Sequence, residues 1–494
     1  MPTTYLNYIR GEWVPAASGQ TFEDINPANR EEVLGIFPRS DAADVDRAVT
    51  AACEAFRTWR RVPAPRRAEI IFRAGEILMR RKEELARLMS REMGKVLAEA
   101  RGDVQEGIDT AYYMAGEGRR LFGHQVPCEL PSKFGVAIRV PVGVVAAITP
   151  WNFPLAIPTW KLFPALVCGN TVVFKPAEDT PFLAHTLVDI LREAGLPSGV
   201  LNLVHGYGEE AGAALTRHPG VNLISFTGST EIGREVAKVA AENFKKVSLE
   251  MGGKNAILVM EDAPLDLAVD GAIWGGFGTS GQRCTAASRV IVHDTVHKTF
   301  IQQFVERTQA LRLGSGLDER TDVGPVINAS QLQRIHEYTE VGRGEGAQLL
   351  IGGEPATEGE LRKGFFYKPT IFDDVDPQMR VAREEIFGPS VAVLQARSLE
   401  EAVEICNNTN YGLSSAIYTR DINRAFQAIE DIATGITYVN ASTIGAEVQF
   451  PFGGVRQTGN GHRESGWAVL DIMTEWKTVY IDYSGQLQKA QIDM

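Results

Sequence analysis

The sequence has no CxxC pair and only five cysteines, Cys53, Cys128, Cys168, Cys284 and Cys406, scattered over 494 residues. An odd, widely spaced set excludes a disulfide framework and points to a reducing compartment. There is no excess of positive charge. Fifty basic residues stand against 62 acidic, a net charge of -12, which argues against general affinity for nucleic acid or an anionic membrane. No apolar run is long enough to span a membrane, since the most apolar stretch, VGVVAAITPWNFPLAIP, is broken by three prolines. The opening MPTTYLNYIRGEWVPAASG lacks the apolar centre of a secretion signal. No low-complexity tract and no repeat of fixed period is present. These absences leave a cytoplasmic globular enzyme of about two to four domains, with neither membrane nor nucleic acid as partner.

What is present alternates between two periodicities. Residues 44–61 place Val45, Ala48, Val49, Ala52, Phe56 and Trp59 at helical spacing. RAEIIFRAGEILMRRKEELARLM reads as one second amphipathic helix, and a third is expected through GDVQEGIDTAYYMAGEGRRL. The chain therefore opens largely helical, after a short hairpin-like stretch. From residue 142, short apolar runs (VGVVAAIT, TVVFKP, VLNLVHG, VNLISFTG) each precede a helical pattern, and KVSLEMGGKNAILVM follows. This strand–helix order predicts an α/β fold with a parallel, Rossmann-type sheet whose glycine-bearing strand ends would hold a nucleotide. After Cys284 a second alternation predicts another α/β domain, with strands in SRVIVHD, GAQLLIGG, PTIFDDV and FGPSVAVLQARS. Two β-rich segments, KFGVAIRVP (133–141) and EWKTVYIDYSG (475–485), are candidates for pairing with a neighbouring subunit.

Several short stretches have chemical potential, and each alone is equally an ordinary turn. FTGSTEIG (226–233) joins a strand to a helix through a Gly-rich turn, with Ser229 as a cap and Gly228 and Gly233 in a G-x-x-x-x-G pattern. The free N–H groups of that helix start favour a pyrophosphate. In FKPAEDTP, Lys175 can donate to ribose hydroxyls and Glu178 can accept from them, and Glu178 would repel a 2′-phosphate. Asn152 in TPWNFP has a side-chain amide suited to an oxyanion. Glu250 in LEMGGKN is a carboxylate suited to general-base work. Cys284 sits in GTSGQRCTAAS with no histidine near it in sequence.

In order, PWNFP, KPAEDTP, FTGST, LEMGGK, GQRC, EEIFGP and PFGG closely resemble the aldehyde dehydrogenase superfamily over essentially the whole chain. The resemblance implies a cofactor domain (1–123 and 142–251), a catalytic domain (252–471) and a small β oligomerisation bridge (124–141 and 472–494). It implies a homodimer or homotetramer built through that bridge. It makes Cys284 the nucleophile, Asn152 and the Cys284 N–H the oxyanion site, Glu250 the base, Lys161 a supporting lysine and Glu464 a proton relay. GNGHRESG carries one residue more than the family's common spacing before Glu464. A reactive thiol needs local stabilisation of its thiolate, from cofactor charge, backbone dipoles or Glu250. The other four cysteines read as structural. The resemblance implies NAD, with NADP admitted. Lys175 and Glu178 would take the adenosine ribose, and Glu385 and Phe387 the nicotinamide end. Ile148, Thr149, Pro150, Trp151, Gly208, Gly212, Phe226, Thr227, Gly228, Ser229 and Gly252 line the rest. The presence of Glu250 favours hydrolysis to a free acid over transfer of the acyl group to coenzyme A.

For the aldehyde, Gly445 and Ala446 in STIGAEVQF resemble the pair that clamps a substrate carboxylate in amino-acid semialdehyde dehydrogenases, and Thr285 could add a hydroxyl. Glu106 and Arg283 resemble charged residues of the aminoadipate semialdehyde branch, with Glu106 placed to pair with an ammonium. Phe452 completes the substrate set. A broad-range aliphatic or aromatic aldehyde dehydrogenase is the alternative, and a coenzyme-A-acylating enzyme a second. HDTVH, His293 to His297, has zinc-helix spacing but follows a strand-like run with poor helix formers, and no metal is expected there.

Overall fold

In the computed structural model, which describes residues 2–492, the apolar runs become strands buried on both faces. Val144–Ile148, Thr171–Lys175 and Leu223–Thr227 are almost wholly buried, as strands covered by helices on both sides must be. They belong to a seven-stranded sheet ordered Lys246–Glu250, Leu223–Thr227, Val144–Ile148, Thr171–Lys175, Leu201–Leu203, Asn7–Ile9 and Glu12–Val14. The first five strands are parallel. The N-terminal hairpin closes the far edge in antiparallel pairing.

From Val144–Ile148 the chain steps outward one way through Thr171–Lys175 and Leu201–Leu203. It then returns to the other side of Val144–Ile148 with Leu223–Thr227. Strand order therefore reverses between Val144–Ile148 and Leu223–Thr227, and the two chain turns that follow them splay apart. A crevice at the carboxyl ends of those strands is the usual consequence. It lies between TPWN and TGST.

After Glu250 the chain leaves this sheet and enters a second at Ala256–Val259. That sheet is ordered Gln348–Ile351, Thr370–Asp373, Ser390–Ala396, Arg289–His293, Ala256–Val259, Ser414–Tyr418 and Ile436–Val439. It is parallel except for Gln348–Ile351. KVSLEMGGKNAILVM thus supplies one strand to each sheet, and MGGKN is the crossing between them. The two β-rich segments distant in sequence do pair: Lys133–Pro141 runs antiparallel to Thr474–Asp482 over nine registered pairs, with His124–Val126 on its other edge.

The long second helix is in fact two, Ala64–Arg80 and Lys82–Glu92, broken at Arg81 (φ -98°, ψ 10°). The buried stripe Ile71, Leu78, Leu85 continues at seven-residue spacing across the break, so periodicity does not reveal it. Arg81 ties the corner by bonding Glu84 in the first turn of the second helix. The third helix, Leu97–Glu117, begins before the expected stretch, because Leu97 and Ala100 already pack in the core. EEAGAALTRHP opens with a π-turn, Gly208–Gly212, before a short helix, Ala213–Arg217.

Candidate active site

Cys284 is presented by a strained turn. Thr279 (φ 52°) and Ser280 (φ 55°) both sit in the left-handed region, which costs a non-glycine residue roughly 1–3 kcal/mol each. The turn is held from outside. Glu99, on the Leu97–Glu117 helix, accepts from the Thr279 N–H at 2.9 Å and from its hydroxyl at 3.1 Å. Ser280 Oγ donates to the Gly324 carbonyl at 2.7 Å. Gly281 (φ 68°) has no alternative, since a Cβ there would collide with the Gly388 carbonyl. Asn255 Nδ2 donates to the Cys284 carbonyl at 2.8 Å, fixing the backbone on the far side. Asn152, buried beside the loop, spends one amide hydrogen on the Gln282 carbonyl at 3.1 Å, and its second remains for a ligand.

The thiol's electrostatics run against expectation. Burial, then Glu250 and Glu385, push Cys284 up to about 12, and the Thr285 and Cys284 N–H groups only partly offset them. Glu250 therefore opposes the thiolate rather than stabilising it, because two carboxyls face one thiol in a dry site. Alkylation of Cys284 by iodoacetamide in the cofactor-free enzyme should climb with pH well past its ordinary 9.0 without a plateau. A rate already saturated at pH 7 would contradict this. Cys168 and Cys406 are buried, Cys53 and Cys128 half-buried, and all five are free thiols.

Glu250 closes the Lys246–Glu250 strand with both carboxyl oxygens buried and unpartnered. Burial, then the charge of Glu464, hold it well above the usual carboxylate range, while Lys161 and Arg463 pull it back in part. Lys161 lies on Ala156–Cys168, a helix buried on every side. Its ammonium contacts Glu464 Oε1 and donates to Ser225 Oγ at 3.1 Å. Ser225 Oγ also donates to Glu464 Oε1 at 3.1 Å, and Glu464 Oε2 stays unpartnered. Two backbone bonds between Phe452 and Glu464 (2.7 and 2.8 Å) set this position despite the longer spacing before it.

Two cavities meet at Cys284. The larger, about 410 Å³, occupies the crevice at the strand reversal and is lined by Trp151, Ser229, Gly252, Glu385 and Phe387. Ser229 caps the Thr230–Glu242 helix by accepting from the Ile232 N–H at 3.3 Å. Glu385 Oε1 accepts from the Gly253 N–H at 2.9 Å, and a Cβ on Gly252 would strike its carboxyl. Burial lifts Glu385 to about 7. Trp151 and Phe387 meet edge-on at 5.4 Å. Pro150 and Thr227 also line this cavity, Gly228 with them, and Phe226 is buried beneath Gly228. Ile148 ends its strand, and the Thr149 N–H bonds the Lys175 carbonyl at 3.2 Å.

Lys175, Glu178, Gly208 and Gly212 do not line that cavity. Lys175 and Glu178 lie at the end of the next strand over, where Lys175 Nζ pairs with Glu178 Oε2 at 3.1 Å, and Gly212, in the Gly208–Gly212 turn that follows Leu201–Leu203, stands beside the Lys175 side chain.

The smaller cavity, about 110 Å³, is lined by all six predicted substrate residues, Glu106, Arg283, Thr285, Gly445, Ala446 and Phe452. Arg283 is already engaged: Nε donates to Thr279 Oγ1 at 2.9 Å, a terminal nitrogen lies 3.3 Å from Glu99, and the guanidinium packs on Phe153 and Trp274. Sequence reasoning missed Phe153, Ile157, Trp160 and Ile444, which also line it. It missed Gln331, Arg334 and Tyr411 in the larger cavity as well. Phe153 and Ile444 stood within the quoted TPWNFP and STIGAEVQF, and nothing in either motif marked the side chain. Of HDTVH, His293 ends a strand while Asp294–His297 are helical, contrary to their propensity, and His297 Nε2 lies 2.9 Å from Asp373.

A cysteine between two cavities, with an unpaired buried carboxyl beside it, is an arrangement suited to chemistry through a thiol. The pattern of the aldehyde dehydrogenase family matches residues 13–479. The chain belongs to that family. It is 43% identical to an alpha-ketoglutaric semialdehyde dehydrogenase of Bacillus subtilis, over 97% of this chain and 98% of the relative. It is 39% identical to a 2,5-dioxopentanoate dehydrogenase of Saccharolobus solfataricus, over 96% and 98%. Among solved structures it is similar to betaine aldehyde dehydrogenase from Staphylococcus aureus in complex with NAD+, with a TM-score of 0.96 and 35% identity over 98% of this chain and 95% of that one. No helix among the described residues is long and apolar enough to cross a membrane.

Proposed function

We propose that this enzyme oxidises a short semialdehyde bearing a terminal acid group to the corresponding carboxylic acid, with NAD as its acceptor. The observation that carries the reading is Cys284 as the shared wall of a nucleotide-sized crevice and a small pocket. The crevice fits a dinucleotide: a helix start free for a pyrophosphate, a close-packed Gly252 and an aromatic edge at Phe387 all face it. Ser229 with its helix, Glu385 and Phe387 would hold the near half, and Lys175 and Glu178 the far ribose. Glu178 supports NAD over NADP, because a carboxylate there opposes a 2′-phosphate. When bound, the nicotinamide supplies the hydride acceptor.

The chain's own groups do the rest. The Cys284 thiol releases its proton to water, its sulfur bonds the aldehyde carbon, and the carbonyl oxygen, now an oxyanion, is held by the second Asn152 amide hydrogen and the Cys284 N–H. Loss of hydride leaves a thioester on Cys284. Glu250 takes a proton from water, whose oxygen displaces the sulfur and releases the acid. Glu464, braced by Lys161 and Ser225, relays that proton outward.

The semialdehydes named for the two curated relatives support a small acid-tailed substrate, and a pocket of about 110 Å³ supports a short one. The Gly445 and Ala446 N–H groups and the Thr285 hydroxyl would receive the acid. Reduction of NAD without coenzyme A should favour 2,5-dioxopentanoate over pentanal by at least about tenfold in kcat/KM. Equal turnover of pentanal would replace this reading with a broad-range enzyme. Activity that needs coenzyme A would replace hydrolysis with acyl transfer.

The units 1–123 with 142–251, 252–471, and 124–141 with 472–494 serve as cofactor, catalytic and bridging domains, although residues 1, 493 and 494 lie outside the described residues. The bridge exposes Val126, Phe134, Trp476, Tyr480 and Ile481, which supports a homodimer or homotetramer formed through it. Five free thiols support a cytoplasmic site of action.

A further inference from the structure

Beside the unpartnered oxygens of Glu250, Glu464 and Thr227, the small cavity holds two further polar groups that no described protein group answers. Glu106 lines it from the Leu97–Glu117 helix, half-buried, and its carboxyl makes no hydrogen bond or ion pair with any described residue. Trp160 lines it from Ala156–Cys168, 8% exposed, with its indole N–H buried and unpartnered. The two helices pack closely here: Gly107, next to Glu106, lies against Leu155 and Thr159. Besides the catalytic groups and the polar Arg283, Thr285 and Thr227, the cavity is walled by Phe153, Ile157, Ile444 and Phe452. A buried donor left without an acceptor costs about 1–3 kcal/mol, so it marks the place where a ligand atom belongs.

We propose that the Glu106 carboxyl and the Trp160 indole N–H together hold an uncharged oxygen of the substrate, an oxo or hydroxyl group on the carbon next to its terminal acid. This rests on the semialdehyde reading and deepens it. The charged and titratable groups facing Glu106 are Asp103 and Asp109 on its own helix, Lys95 ahead of it, Arg283 on the nucleophile loop and Tyr438 on Ile436–Val439. Burial and then Asp103 outweigh Lys95 and Arg283 and lift Glu106 to about 8. At neutral pH this favours the protonated form, which has an O–H to give. An indole N–H donates only, and an ammonium donates only, so an amino group at that carbon would meet Trp160 donor to donor. An oxo or hydroxyl oxygen accepts from both. The aminoadipate-like role expected for Glu106, pairing with an ammonium, is thereby replaced.

The test compares kcat/KM at pH 7 for 2,5-dioxopentanoate, for the same five-carbon aldehyde acid without the 2-oxo group, and for pentanal. It uses wild type, Glu106→Gln, Glu106→Leu and Trp160→Phe. Wild type should prefer the oxo acid over its deoxy analogue by at least about tenfold. Glu106→Gln, which keeps an uncharged donor, should retain most of that preference. Glu106→Leu and Trp160→Phe should lose it, the two acids converging. As pH rises through about 8 the wild-type preference should fall while that of Glu106→Gln holds, because Glu106 loses its proton there and a glutamine has none to lose. A preference that survives in both Leu and Phe variants, is already absent in wild type, or vanishes in Glu106→Gln would overturn the proposal. If wild type prefers pentanal to both acids, the semialdehyde reading itself fails, a result distinguishable from the others.

Discussion

Glu250→Gln is expected to give an enzyme that reduces about one equivalent of NAD per active site and then stalls. Attack by Cys284 and loss of hydride do not require the Glu250 base once the thiolate is formed. Release of the thioester does, because water must lose a proton to displace sulfur. Removal of a positioned general base typically costs about 10²–10⁴ in rate. In wild type the active form of Glu250 is the carboxylate, and burial with Glu464 raises its pKa. Turnover should therefore rise with pH along an acid limb centred well above the ordinary carboxylate value of about 4.3. Glu250→Gln should lack that limb in its residual turnover. Steady turnover without a burst would place the slow step before the thioester.

Lys161→Met should produce the largest loss of stability. The pair with Glu464 is fully buried, and Glu250 adds a second carboxyl nearby. Breaking a buried pair by removing one partner leaves an uncompensated charge and costs about 3–5 kcal/mol. The loss of the cation also removes one of the two groups that hold Glu250 down, so the acid limb of turnover should move to still higher pH. Lys161→Met with Glu464→Gln should recover much of the stability, because no charge is then orphaned. Thermal melts of the two variants and of wild type decide it. A single variant as stable as wild type would mean that the pair contributes nothing.

Much of this architecture is legible in the sequence because parallel strands end where the chemistry begins. VGVVAAIT and VNLISFTG are buried strands that hand TPWN and TGST to the crevice, while TVVFKP sets Lys175 and Glu178 one strand over. The contacts across the fold are not legible in that way. Lys161 and Glu464 stand 303 residues apart, and no spacing in either segment announces the pair. Glu99 brackets the nucleophile turn from a helix whose sequence gives only amphipathic period. Trp160 sits on a helix buried all round, where no apolar face singles it out from its neighbours. The raised pKa of Cys284 comes first from burial and then from Glu250, at a strand end, and Glu385, on a separate loop, so the motif suggests a stabilised thiolate and the folded site opposes one.

The central claim is a covalent acyl group on Cys284 between two half-reactions. Its most direct test is peptide mass mapping of Glu250→Gln enzyme, acid-quenched after mixing with NAD and 2,5-dioxopentanoate. The account predicts the acyl mass on the peptide containing Cys284, at close to one per active site. No adduct, or an adduct on Cys53 or Cys128 instead, would contradict it.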